Sequence, residues 1–218
     1  MRDATAPRFS ARLSARFSAR FTAWFKACSL LLLASALLGA CKSPPTNFYT
    51  LSPDGSLSST GASRPIAVVV GPVTIPDVVD RPQIVTQIGN NEVELNEFDR
   101  WAQPLNSGVG RAIAADLGTL LNSQQVSVFD AARDPAVVWH VRIDVMRFES
   151  APGRDVTVDV IWAVRPPGKG RAVTGRSVAH ETVTGPGIEP LVAAHDRALA
   201  SVSRDIAAAV QANPSVTQ

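Results

Sequence analysis

The stretch Asp155–Val164, DVTVDVIWAV, alternates polar and apolar residues along most of its length. A β-strand places successive side chains on opposite faces, so this spacing predicts a half-buried strand with one face toward a core. The aspartates Asp155 and Asp159 are both expected on its solvated face. The apolar positions are Val156, Val158, Val160, Trp162 and Val164.

One further strand is expected before this one in the sequence and one after it. Upstream, residues 137–148 also alternate, but the apolar phase flips after Val145, which predicts a β-bulge there. A Pro-Gly pair at 152–153 and the Pro/Gly-rich residues 166–170 provide the connecting turns. Downstream, Ala172–Val183 alternates more weakly and is expected to be an edge strand.

Two segments, Leu105–Leu121 and Glu189–Gln211, have apolar residues spaced three and four apart, as in an amphipathic helix. Pro190 falls in the first turn of the second segment, where proline is tolerated. His195 lies at the edge of the apolar stripe of that segment and is expected to be a packing residue. The sequence GVG at 108–110 lies inside the first helical pattern, so a nucleotide-binding loop is not favoured there.

The first half of the domain contains several strand signals. Residues 47–51 are rich in aromatic and β-branched residues, and Val126–Phe129 is a second short strand candidate. Ile66–Val70 is a continuous β-branched run, which favours a strand buried on both faces. Gln83–Ile88 and Val93–Leu95 flank a Gly-Asn-Asn turn and predict a hairpin. The fold class expected is α+β: a mainly antiparallel or mixed sheet packed against two amphipathic helices.

A secretion signal is expected before the domain. Residues 28–40 form an apolar segment of 13 residues, shorter than the roughly 20 that a membrane-spanning helix needs, and six basic residues lie upstream of it. The segment ends in Leu38-Gly39-Ala40-Cys41, which resembles the lipobox of bacterial lipoproteins. The resemblance implies cleavage between Ala40 and Cys41, a diacylglycerol thioether on the Cys41 sulfur and acylation of the new N-terminus.

These features predict four parts of the chain. Residues 1–40 are a cleaved signal peptide, residues 41–46 a lipidated tether, residues 47–212 a single α+β domain, and residues 213–218 a C-terminal tail. Lys42 follows the cysteine at the position where aspartate favours retention in the inner membrane. In organisms that follow this sorting rule, the lipobox resemblance therefore implies an anchor in the outer membrane, with the domain on its periplasmic face.

The net charge of +2 belongs to the signal peptide and not to the domain. Of 21 Lys and Arg and 19 Asp and Glu, six bases and one acid lie in residues 1–40. Residues 41–218 therefore carry 15 bases and 18 acids, a net charge of −3. This balance argues against a nucleic-acid partner.

The residue patterns do not favour an enzyme, a metal site or a cofactor site. The histidines are scattered at 140, 180 and 195, without a second ligand at metal-binding spacing. No G-x-S-x-G nucleophile motif occurs. The two cysteines are Cys28, in the signal peptide, and Cys41, so processing would leave no free thiol for catalysis or metal binding.

Four stretches together resemble the PqiC-type auxiliary lipoproteins of ABC-type intermembrane transport. They are FYTLS from Phe48, VGPVTIP from Val70, DRPQIV from Asp80 and EFDRWAQPL from Glu97. The resemblance implies a periplasmic lipoprotein that docks or stabilises a periplasm-spanning MCE-domain (PqiB-like) protein and works with an inner-membrane component. The implied cargo is a lipid, with phospholipid favoured.

The last of these stretches contains the candidate partner-binding residues Asp99, Arg100 and Trp101. Aromatic and arginine side chains are favoured interface anchors, which is the reason for the choice. A structural role is the alternative. Asp99 would then cap a turn, Arg100 would pair with Asp99, and Trp101 would close the seam between sheet and helix.

The loop 76–82 is a second candidate interface, with Asp80 and Arg81 at its charged tip; an ordinary connection between strands is the alternative. Two other functions stay open: an LptE-like lipoprotein of lipopolysaccharide assembly, and a structural envelope lipoprotein without a transport role. Weak edge strands would also allow a homo-oligomer formed by sheet extension.

Overall fold

The computed structural model describes residues 44–59, 66–128, 137–168 and 170–213. Ala40, Cys41 and Phe129 lie outside the described residues. Within the described residues the strands are β1 (Asn47–Tyr49), β2 (Ala67–Thr74), β3 (Gln83–Gln87), β4 (Val93–Trp101), β5 (Val126–Ser127), β6 (Val138–Ala151), β7 (Asp155–Arg165) and β8 (Val173–Thr182). The helices are α1 (Leu105–Leu120) and α2 (Ile188–Ala212).

The strands form two mixed sheets. The larger has the order β5-β2-β6-β7-β8, with β2 parallel to both of its neighbours and the other pairs antiparallel. The smaller has the order β1-β4-β3, with β1 parallel and β3 antiparallel to β4. The expected α+β class with a mixed sheet and two helices is confirmed, while parallel and antiparallel pairs prove equally common.

Several local predictions are confirmed. Residues 67–70 of β2 are all buried, as a strand covered on both faces requires. The register of β6 shifts between Val145 and Arg147, at the position of the phase flip. The hairpin forms from β3 and β4, and β8 is an edge strand of the larger sheet.

The expectation of a solvated face is wrong for Asp159. This residue is 1% exposed, and its two carboxylate oxygens accept hydrogen bonds of 2.9 and 2.6 Å from Arg176 on β8. The reason is the neighbouring strand: the long arginine side chain lies across the polar face of β7 and covers the acid. The hydrogen bonds from Arg176 hold the pKa of Asp159 below its usual range. Asp155 is exposed, as expected.

Trp162 joins the edge strand to the helix layer. Its cross-strand partner is Gly175, and a Cβ added there would lie 2.2 Å from Cζ2 of the indole ring. The indole N–H donates to the Ser177 hydroxyl over 2.9 Å, and that hydroxyl donates to Asp205 of α2 over 2.6 Å. The absence of a side chain at Gly175 therefore makes room for the ring that carries this connection.

The two glycines of the GVG sequence differ in how closely neighbouring segments pack on α1. A Cβ on Gly108 would lie 3.6 Å from a methyl carbon of Leu51, and one on Gly110 would lie 3.3 Å from Val73. Both are buried inside α1. The missing side chain at Gly110 thus lets Val73 of β2 approach the helix, whereas a Cβ on Gly108 would be in ordinary van der Waals contact with Leu51.

Candidate functional site

The predicted partner-binding segment lies at the end of β4, where β1 joins it. Asn47 pairs with Asp99, and Tyr49 pairs with Trp101. The Asp99 carboxylate accepts hydrogen bonds from the Asn47 amide over 2.9 Å and from the Tyr49 hydroxyl over 3.1 Å. Burial, followed by the bond to Asp99, raises the pKa of Tyr49. Asp99 thus holds β1 against β4 through these hydrogen bonds and does not cap a turn.

Arg100 does not pair with Asp99, which corrects that part of the structural alternative. Its Nε donates to the backbone oxygen of Glu97 over 3.0 Å, and Nη2 lies 3.4 Å from the Glu97 carboxylate. Side chains alternate along a strand, so neighbouring residues Asp99 and Arg100 point to opposite faces. The Arg100 side chain is 37% exposed and can reach a partner.

Trp101 is a core residue. It is 7% exposed and packs edge-on against Phe148 of β6, with 6.3 Å between ring centroids. Phe148 in turn stacks on His195 of α2 at 3.9 Å. Trp101 thus has a structural role, as in the alternative interpretation, but its ring contacts a strand of the larger sheet and reaches α2 through Phe148. Little of the indole surface is available to a partner.

His195 completes this stack as a neutral, buried ring. It is fully buried, and its Nε2 lies 2.8 Å from the Ser150 hydroxyl. Desolvation lowers its pKa to about 3, so the ring carries no charge at neutral pH. His195 therefore packs in the core, as expected from the sequence.

The loop 76–82 lies against the same segment. The backbone N–H of Trp101 donates to the Pro82 carbonyl over 2.7 Å, so the two candidate interfaces form one continuous region. Asp80 is exposed, while Arg81 is partly buried and its Nε atom has no hydrogen-bond partner among the described residues. The surface accessible at this region therefore comes from Arg100 and Asp80 more than from Trp101.

A second connection, not foreseen from the sequence, lies just after β1. We call residues 51–57 the strap. The N–H of Ser52 donates to Asp196 of α2 over 3.0 Å, and the N–H of Asp54 donates to Asp116 of α1 over 3.1 Å. Burial raises the pKa of both acceptor carboxyls to about 6. The strap thus binds both helices through acids with raised pKa values.

The described residues contain an open groove of about 260 Å³ between the bulge of β2, at residues 70–73, and the first turns of α1. Arg111 is the charged residue in its lining. In the described ranges no group of three or more His, Cys, Asp or Glu is placed to hold a metal ion. None of the helices in those ranges is long and apolar enough to cross a membrane.

Comparison with known proteins gives a family and a fold. A family model described as ABC-type transport auxiliary lipoprotein component matches residues 49–207. One solved crystal structure, of an uncharacterized protein, is 16% identical, covers 77% of this chain and 99% of its own, and superposes with a TM-score of 0.63. Protein XCC0632 from Xanthomonas campestris is 17% identical, covers 75% and 94%, and has a TM-score of 0.55. No curated protein matches.

Proposed function

This chain belongs to the family of ABC-type transport auxiliary lipoproteins, and we propose that it is the outer-membrane-anchored, periplasmic subunit of an MCE-type intermembrane lipid transport system. In this proposal a lipid on Cys41 holds the protein to the membrane. The domain docks or stabilises an MCE-domain protein that spans the periplasm and acts with an inner-membrane component. The cargo is a lipid, with phospholipid favoured, and the protein itself catalyses no reaction.

The observation that carries the proposal is the position of the family match relative to the lipobox. The match begins at residue 49, eight residues after Cys41, and extends to residue 207 in α2. This spacing supports the proposal, in which the domain follows a short lipidated tether. The region around Arg100 and Asp80 supplies an accessible, charged surface for the partner in this proposal.

Three measurements test the proposal. The intact mass of protein purified from membranes reports whether Cys41 carries the lipid, and Cys41→Ser should move the protein into the soluble fraction. A tag placed after Gln218, beyond the end of α2 at Ala212, allows purification in mild detergent. We expect an MCE-domain protein to be recovered in a stoichiometric amount.

Other results would favour the rival functions. Recovery of a lipopolysaccharide-assembly barrel would support an LptE-like role and contradict the proposal. Recovery of lipidated protein alone, under conditions that preserve known envelope complexes, would support a structural envelope lipoprotein. An unmodified Cys41 would remove the anchor on which the proposal depends.

A further inference from the structure

The turn of the β3–β4 hairpin exposes aliphatic side chains. Ile88 is 57% exposed and Val93 is 45% exposed, and Leu95 farther along β4 is 38% exposed. Single exposed apolar residues are ordinary on protein surfaces. Here, however, all three lie within eight residues at one end of the small sheet.

The topology directs the start of the domain toward this same end. β1 is parallel to β4, with Asn47 beside Asp99 and Tyr49 beside Trp101. β4 begins at Val93, next to the turn, and runs away from it. The N-terminal end of β1, which the tether precedes, therefore faces the hairpin turn.

The length of the tether matches the distance to the turn. Asp99, the partner of Asn47, lies six positions after Val93. At about 3.3 Å per residue this part of β4 spans about 20 Å. Asn47 likewise lies six positions after Cys41, and a chain of that length extends to at most about 20 Å. An extended tether thus has the reach to place Cys41 level with the turn.

We propose that the β3–β4 hairpin turn is a membrane-contact site, where Ile88 and Val93 enter the surface of the bilayer that holds the lipid of Cys41. This inference rests on the lipidation in the proposed function. Aliphatic side chains gain free energy on leaving water for the acyl boundary. The lipid anchor keeps the turn close to that surface, so a small contact area is sufficient to orient the domain.

The charges of the turn specify the kind of bilayer. Residues 87–95 contain two acids, Glu92 and Glu94, and no base. An anionic surface repels such a segment, whereas a zwitterionic one does not. The contact is therefore expected with phosphatidylethanolamine or phosphatidylcholine, and it should weaken when phosphatidylglycerol is added.

Spin labels measure this contact on the intact lipoprotein. After processing and lipidation, a cysteine introduced at Ile88→Cys or Val93→Cys is the only free thiol. Val178→Cys is the matched control, because Val178 is 49% exposed and lies on β8 in the other sheet. In zwitterionic vesicles we expect the ratio of collisions with oxygen to collisions with a water-soluble nickel chelate to be several-fold higher at 88 and 93 than at 178.

The outcomes separate this inference from the proposed function. Lipidated protein whose labels at 88 and 93 behave like the label at 178 overturns the membrane contact and leaves the anchor intact. Protection from nickel that occurs only when the partner protein is added also overturns it, because the turn would then bind protein. An intact mass without lipid on Cys41 overturns the anchor and this inference together.

Discussion

The carboxylate of Asp116, on α1, accepts hydrogen bonds of 3.1 Å from the backbone N–H of Asp54 and of 3.1 Å from the Ser203 hydroxyl on α2. One fully buried acid therefore links the strap to both helices. Burial raises its pKa to about 6, because the charged form loses water that these two bonds replace only in part.

Replacing this acid by its neutral isostere should stabilise the domain at high pH. The native state takes up a proton on Asp116 at a higher pH than the unfolded chain, so the free energy of unfolding falls as pH rises through 6. Asp116→Asn keeps one carbonyl oxygen for the Asp54 N–H and removes the buried charge. We expect the variant to be more stable than the wild type by about 1 kcal/mol at pH 8, and about equally stable near pH 3.5, below the unfolded pKa of about 4.

Urea unfolding of both proteins at the two pH values checks this expectation. The lowered pKa of His195 makes both proteins less stable as the pH falls below 6.5. Because both proteins contain His195, its contribution cancels when they are compared at the same pH. A variant that is less stable than the wild type at pH 8 would show that the charged form is the favoured one.

Adding one methyl group beneath Trp162 should destabilise the sheet edge. In Gly175→Ala the new Cβ would overlap the indole ring, so the ring must move and its bond to Ser177 must break. We expect a loss of about 2 kcal/mol or more in thermal unfolding, with a changed near-ultraviolet circular dichroism signal. Gly55→Ala is the control, because a Cβ there meets nothing within 4 Å. Equal melting temperatures for the two variants would contradict the packing argument.

Removing the arginine that covers Asp159 should also destabilise the sheet. Arg176→Ala leaves a carboxylate that is 2% exposed without the two hydrogen bonds that hold its pKa low. The urea midpoint at pH 7 should fall relative to Arg171→Ala, an exposed arginine just before β8. The pair stabilises the native state above the unfolded pKa of about 4 and is lost as the pH falls below it, so the deficit should shrink at pH 3. An unchanged deficit at pH 3 would exclude this cause.

Trp101→Ala should mainly lower the stability of the domain. The indole is buried and contacts Phe148, so its removal leaves a cavity in the core and should cost about 3 kcal/mol or more in urea unfolding. Loss of a partner by this variant would therefore not identify an interface. A stable Trp101→Ala protein that fails to bind the partner would show the opposite, that the indole itself takes part in binding.

Arg100→Ala is the sharper test of the candidate interface. Its pair with Glu97 is exposed, so the variant should unfold within about 1 kcal/mol of the wild type. We expect it to reduce recovery of the partner protein from membranes. Arg154→Ala, in the exposed turn between β6 and β7, is the matched control and should leave recovery unchanged. Equal recovery with both variants would remove Arg100 from the interface.

Much of the fold follows from periodicity. The alternation around Val158 identified β7, and the phase flip after Val145 located the bulge in β6, because the two faces of a strand differ in their contact with water. The apolar stripes identified α1 and α2 within one or two residues at each end. These signals are local, and each depends on a few neighbouring positions.

The structural features that the sequence did not predict depend on contacts between distant segments. The position of Arg176 over Asp159 is set by the register between β7 and β8. The parallel pairing of β1 with β4 joins residues about 50 positions apart. For Asp116 a signal was present: it is an acid on the apolar stripe of α1, directly before Leu117. Such a position indicates a buried polar partner, but the sequence does not reveal that the partner is the strap.

The parallel pairing of β1 with β4 also determines how the domain responds to force. Tension applied to the N-terminal end of β1 along its axis would load its hydrogen bonds to β4 together, in shear, instead of opening them one after another. Behind β1, the strap passes the same tension to both helices at Ser52 and Asp54. A pull on the start of the domain is thus shared by the small sheet and the helix pair, which gives this end of the domain a mechanical fastening.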